Sequence, residues 1–172
     1  MSQLSEYLNA NQLFNPVQSA YHPNHSTETA LVKIVNDLLL ALDDAKVSVL
    51  TLLDLSAAFN TIDYNILLHR LEHVFGITGI VLSWIRSFLS DRDQTVFVNG
   101  LKSESFRLLY GVPQGSVLGP ILFVLYTKPL DNIFERHSLC HHSFADDTQM
   151  RNSSSLDQLD TVSYTHLRAH ET

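Results

Sequence analysis

Asp54, Asp146 and Asp147 are the residues of this chain whose type and setting could do chemistry. Asp54 lies in the apolar run Val47 to Leu55, where a strand should end, and Asp146-Asp147 follows Phe144-Ala145 far downstream. A carboxylate at the end of so apolar a strand must reach solvent, a partner or a metal, because burying it unpaired is costly. Alone, Asp54 reads as a strand-end residue capping a turn, and two adjacent aspartates read as a solvated turn. Together they read differently. Carboxylates about 5 Å apart repel by roughly 3 kcal/mol at an effective dielectric of about 20, and a bound divalent cation reverses that sign. Magnesium takes oxygen ligands and keeps positions for phosphate oxygens. With two ions, one can activate an attacking hydroxyl while the other steadies the leaving group of a phosphoryl transfer.

Between the acidic points lies Gly111-Val112-Pro113-Gln114-Gly115-Ser116. As plain structure it is a tight turn before a helix. As a site, Gly115 lets a nucleic-acid backbone approach closely, with Gln114 and Ser116 offering polar contacts. Phe59 reads first as core filling. Five residues after Asp54, its ring could also lie beneath a nucleotide sugar and exclude a 2′-hydroxyl. Cys140-His141-His142 lacks the second ligand pair of a zinc site, so solvated strand histidines are the expectation there.

The elements that must position these residues follow from periodicity. Ser26 caps a helix over 28–43 whose apolar residues Leu31, Ile34, Val35, Leu38, Leu39 and Leu42 share one stripe. The run Val47 to Leu55 predicts a buried central strand. Asp63 caps a helix carrying Ile66, Leu67 and Leu71, stopped by Gly76, and another helix spans 78–89. Thr95 to Val98, the Asn99-Gly100 turn and Glu104 to Tyr110 predict a hairpin. A single apolar helix over 117–134 tolerates Pro120 in its first turn. Strands 138–144 and 148–151 then flank Asp146-Asp147. Asn152 onward lacks periodicity and reads as a tail outside the fold, similar to read-through from a cloning adaptor.

The chain has 172 residues, 45% of them hydrophobic and 17% charged, enough for one domain with its own core. One cysteine excludes an internal disulfide framework and fits a reducing intracellular setting. Met1 to Glu6 lacks the pattern of a secretory leader, and no apolar run approaches a membrane span, so the reading is of a soluble protein. A net charge of −7 opposes nucleic-acid binding, which rests on Lys and Arg, unless bound cations or further basic regions offset it.

From Gln18 to Met150 the chain resembles the reverse transcriptase domain of non-LTR (LINE-type) retrotransposons. The segments that carry the resemblance are Gln18-Ser19-Ala20-Tyr21, His25 to Leu31, Asp54 to Phe59, Gly111 to Pro120, and Phe144 to Asp147. It implies an α+β right-hand polymerase palm, an antiparallel sheet backed by helices, with part of the fingers and truncated. On that basis 1–151 is a partial reverse transcriptase domain and 152–172 a tail. It further implies RNA-directed DNA synthesis from deoxynucleoside triphosphates on an RNA template and DNA primer, in nucleus or cytoplasm. Asp54, Asp146 and Asp147 would be the catalytic carboxylates, holding two Mg²⁺ ions, with Mn²⁺ as a substitute. Phe59, Leu55 and Gln114 would meet the nucleotide; Gly111, Pro113, Gly115 and Ser116 would meet template and primer. The sequence departs from the family at Asn60, where a third acid is usual, and at Ala20-Tyr21-His22, where Gly-Phe-Arg is usual. A catalytically inactive remnant with weak nucleic-acid binding is the first alternative, and a two-metal nuclease the second.

Overall fold

A computed structural model describes residues 2–22 and 24–155. In chain order the elements are α1 (Ser2–Ala10), α2 (Thr27–Asp43), β1 (Lys46–Leu53), a 3₁₀ turn (Ala58–Asn60), α3 (Tyr64–His73) and α4 (Gly79–Leu89). Four short strands follow: β2 (Arg92–Gln94), β3 (Phe97–Val98), β4 (Leu101–Lys102) and β5 (Phe106–Leu108). The remainder are α5 (Gly119–Thr127), α6 (Pro129–Arg136), β6 (Cys140–Phe144) and β7 (Asp147–Ser155). The described residues form two compact units: those up to Asn15 with Leu55–Pro129, and Pro16–Asp54 with those from Leu130 onward.

The second unit is an antiparallel sheet in the order β1-β7-β6, with α2 packed on it. Ser26 caps α2 in a reciprocal box with Thr29, as its position before the apolar run predicts. The buried line of α2 is Ala30, Ile34 and Ala41, whereas Leu31, Val35, Leu39 and Leu42 of the predicted stripe are exposed. Small residues let the helix lie close to the sheet, so the buried line is narrower than hydrophobicity alone suggests. β1 is likewise corrected. It pairs with β7 alone among the described residues and is an edge strand with much of its surface exposed, not a buried central one. β7 pairs with β1 from Thr148 through to Ser155, so residues 152–155 belong to the sheet, past the boundary expected at 151. The rest of the expected tail lies outside the described residues.

The first unit packs α3 against α4 and α5 around Leu67, Leu71, Ile85, Leu89, Leu122 and Phe123. Asp63 caps α3, accepting from the N–H groups of Asn65 (2.8 Å) and Ile66 (3.0 Å). The predicted hairpin exists: Val98 pairs with Leu101 across Asn99-Gly100, both at positive φ, which matches the twist of the strands. The returning segment is shorter than predicted, since β5 covers only Phe106–Leu108 and pairs with β2. The single helix predicted over 117–134 is two. Pro129 has no N–H for the carbonyl one turn back, so α5 ends at Thr127 and α6 begins at Pro129.

Candidate active site

Strand register carries the three aspartates to one end of the β1-β7-β6 sheet. The β1–β7 ladder ends with Leu53 opposite Thr148, and the β6–β7 ladder ends with Phe144 opposite Asp147. Ala145 and Asp146 are therefore the two residues of a tight hairpin turn, with Ala145 at φ +57°. Continued by one rung, the first ladder would set Asp54 against Asp147, where facing Cβ atoms lie about 4.5–5.5 Å apart. Asp54 and Asp147 are exposed and Asp146 half-buried. Among the described residues no three His, Cys, Asp or Glu side chains cluster as a metal cage. Magnesium needs none, because it is commonly held by one or two carboxylates with waters and substrate phosphates completing its shell. Hard oxygen donors at one sheet end, open to solvent, fit that mode.

In the first unit the Gly111 to Ser116 loop is tied to the segment that carries Phe59. The Val112 N–H donates to the Phe59 carbonyl at 2.9 Å, and the Gly111 N–H to that of Ile62 at 2.8 Å. Gly111 adopts φ +81°, and a Cβ there would lie 2.8 Å from Asn60 Cα, so the close approach demands glycine. Gln114 and Gly115 are exposed at the tip, and a Cβ on Gly115 would meet nothing within 4 Å. The Ser116 hydroxyl accepts from the Gly119 N–H at 3.0 Å, which occupies it at the start of α5. The Phe59 ring packs on Phe123 with centroids 4.8 Å apart, so it serves the core as well. Leu55 is exposed, and its carbonyl accepts from the Ala58 N–H at 3.1 Å to open the 3₁₀ turn.

Sequence reasoning missed the braces of this loop. Arg92 donates to the Gly111 carbonyl at 2.5 Å and to the Tyr64 hydroxyl at 2.6 Å, and that hydroxyl donates to the Tyr110 carbonyl at 2.8 Å. A lone arginine in a polar segment gives no signal of such a role. The histidines are also corrected. His141 is nearly enclosed, with Nε2 3.1 Å from Asp131 Oδ1 and its ring against Phe134. His142 is buried, with Nε2 3.0 Å from Ser19 Oγ. Both faces of β6 are covered at these positions, so neither histidine is solvated. Burial, first, and Lys33, second, hold the His142 imidazole below its usual pKa.

Sheet, helices and glycine loop are those of a palm-type polymerase, and the comparisons with known proteins agree. The reverse transcriptase (RNA-dependent DNA polymerase) family profile matches residues 1–170, and the chain belongs to that family. It is 31% identical over 143 residues to the RNA-directed DNA polymerase from mobile element jockey of Drosophila melanogaster, covering 80% of this chain and 15% of that protein. It is 26% identical over 129 residues to the probable RNA-directed DNA polymerase from transposon BS of the same species, covering 75% and 14%. The motif-based resemblance to non-LTR elements is thus borne out. The chain spans about 15% of the length of the curated relatives it matches. Among solved structures, apo telomerase from Candida tropicalis, truncated from its C-terminal domain, shares the fold. Its TM-score is 0.65 at 18% identity, covering 94% of this chain and 35% of that one. Among the described residues no helix is long and apolar enough to cross a membrane.

Proposed function

We propose that this domain catalyses RNA-directed DNA synthesis, adding deoxynucleotides from their triphosphates to a DNA primer on an RNA template inside the cell. The observation that carries the reading is the register placing Asp54, Asp146 and Asp147 at one end of a single sheet. Asp54 and Asp146 are the direct ligands of the divalent cations, with Asp147 beside them. Bound Mg²⁺, or Mn²⁺ in its place, would lower the cost of charge on the primer 3′-hydroxyl and the departing pyrophosphate. Phe59 limits the sugar to deoxyribose, with Leu55 and Gln114 completing the nucleotide contacts. The loop Gly111, Pro113, Gly115 and Ser116 meets template and primer, where a small exposed backbone suits a phosphodiester strand.

A second reading, a folded remnant that copies nothing, draws on Asn60 in place of the usual acid. Template-dependent primer extension by a complete polymerase carrying this domain, with strand cutting measured beside it, separates the readings. Extension supports polymerisation. Cutting without extension supports a two-metal nuclease, and neither supports the remnant.

A further inference from the structure

Gln18 is buried, and its side-chain amide grips the backbone of one distant residue from both sides. Its Oε1 accepts from the Ala145 N–H at 2.9 Å, and its Nε2 donates to the Ala145 carbonyl at 3.2 Å. The same Oε1 accepts from the Ala20 N–H at 3.0 Å, which sets the side chain's direction. Ala145 is the first residue of the turn that holds Asp146, and it sits at φ +57°, costly for a residue with a Cβ. Such a conformation persists only where surroundings over-determine it, and here the amide clamp does so.

The bland reading is that Gln18 ties its own segment to the sheet. That tie exists without its side chain. The Ser143 N–H donates to the Val17 carbonyl at 2.8 Å, and the Ser19 N–H to the Ser143 carbonyl at 2.9 Å, a parallel bridge on β6. The amide reaches past this bridge to the turn.

We propose that Gln18 is a positioning residue that fixes the Ala145-Asp146 turn, and so the direction in which Asp146 presents its carboxylate to a divalent cation. The inference rests on the metal-holding role proposed for Asp146. The test uses the 172-residue chain with Mn²⁺ as probe, its binding read by electron paramagnetic resonance, and Ala145 amide exchange read by NMR. Gln18→Met keeps side-chain length and removes all three hydrogen bonds. It should speed Ala145 exchange about tenfold and weaken Mn²⁺ binding about fivefold, with amides of the β1–β7 ladder unchanged. Asp146→Asn should abolish Mn²⁺ binding and leave Ala145 exchange as in the wild type. If Gln18→Met binds Mn²⁺ as the wild type does, the positioning role is overturned. If the wild type itself binds no Mn²⁺ while Gln18→Met still speeds exchange, the metal reading fails and the positioning role with it. Should Gln18→Met not fold, Gln18→Glu keeps the acceptor but sets an oxygen against the Ala145 carbonyl. It should weaken Mn²⁺ binding, and wild-type binding there overturns the proposal.

Discussion

Leu53 of β1 stands opposite Thr148 of β7, and Asp54 and Asp147 are the next residues outward along the two strands. That rung turns two distant acidic segments into neighbours. Neither strand achieves it alone: β1 supplies the approach of Asp54, while the two-residue turn after Phe144 fixes where Asp146 and Asp147 begin. An antiparallel register slipped by one residue would send every side chain of β7 to the opposite face, so the ladder is part of the site.

The glycine loop yields a contrast between two residues with the same backbone conformation. Gly111 is at φ +81° and Gly115 at φ +79°, yet only at Gly111 would a Cβ strike backbone, 2.9 Å from the Asn60 carbonyl oxygen. Gly115→Ala should cost about 1 kcal/mol, the conformational penalty alone. Gly111→Ala should cost about 3 kcal/mol or more, because the clash adds to it. Chemical denaturation of the two variants measures the difference, and equal losses would contradict the packing described for Gly111.

Phe59→Ala should raise ribonucleotide incorporation about 10- to 100-fold relative to deoxynucleotide incorporation, assayed in a complete polymerase. Because the ring also rests on Phe123, the variant should lose about 2 kcal/mol of stability. Lost stability with unchanged sugar discrimination would leave Phe59 as core filling and nothing more.

The depressed His142 pKa sets a pH dependence. The native imidazole titrates below the unfolded value near 6.5, so between those two points the unfolded chain binds more protons. This contribution to stability is complete above about pH 6.5 and is lost as pH falls through the folded value. His142→Gln should therefore be less stable than wild type at pH 7, with the gap narrowing toward pH 5. Thermal unfolding midpoints across that range check it, and a gap that stays constant would show that His142 does not titrate with folding.

The acids, the glycine loop and the caps at Ser26 and Asp63 were legible in the sequence because each depends on local chemistry. Edge or centre was not legible for β1, since an apolar run reports hydrophobicity and not the number of neighbouring strands. The break before α6 was legible at Pro129 but is outweighed by an otherwise continuous apolar pattern. The clamps of Gln18 on Ala145 and of Arg92 on Gly111 join residues far apart along the chain, and only tertiary geometry displays them.

Primer extension on an RNA template by a complete polymerase, compared across three single substitutions, addresses the metal-holding role proposed for the acids most directly. Asp54→Asn and Asp146→Asn should each slow nucleotide addition about 100- to 1,000-fold. Asp63→Asn, which alters only the cap of α3, should leave the rate within about twofold. Asp146→Asn extending primers at the wild-type rate would contradict the assignment.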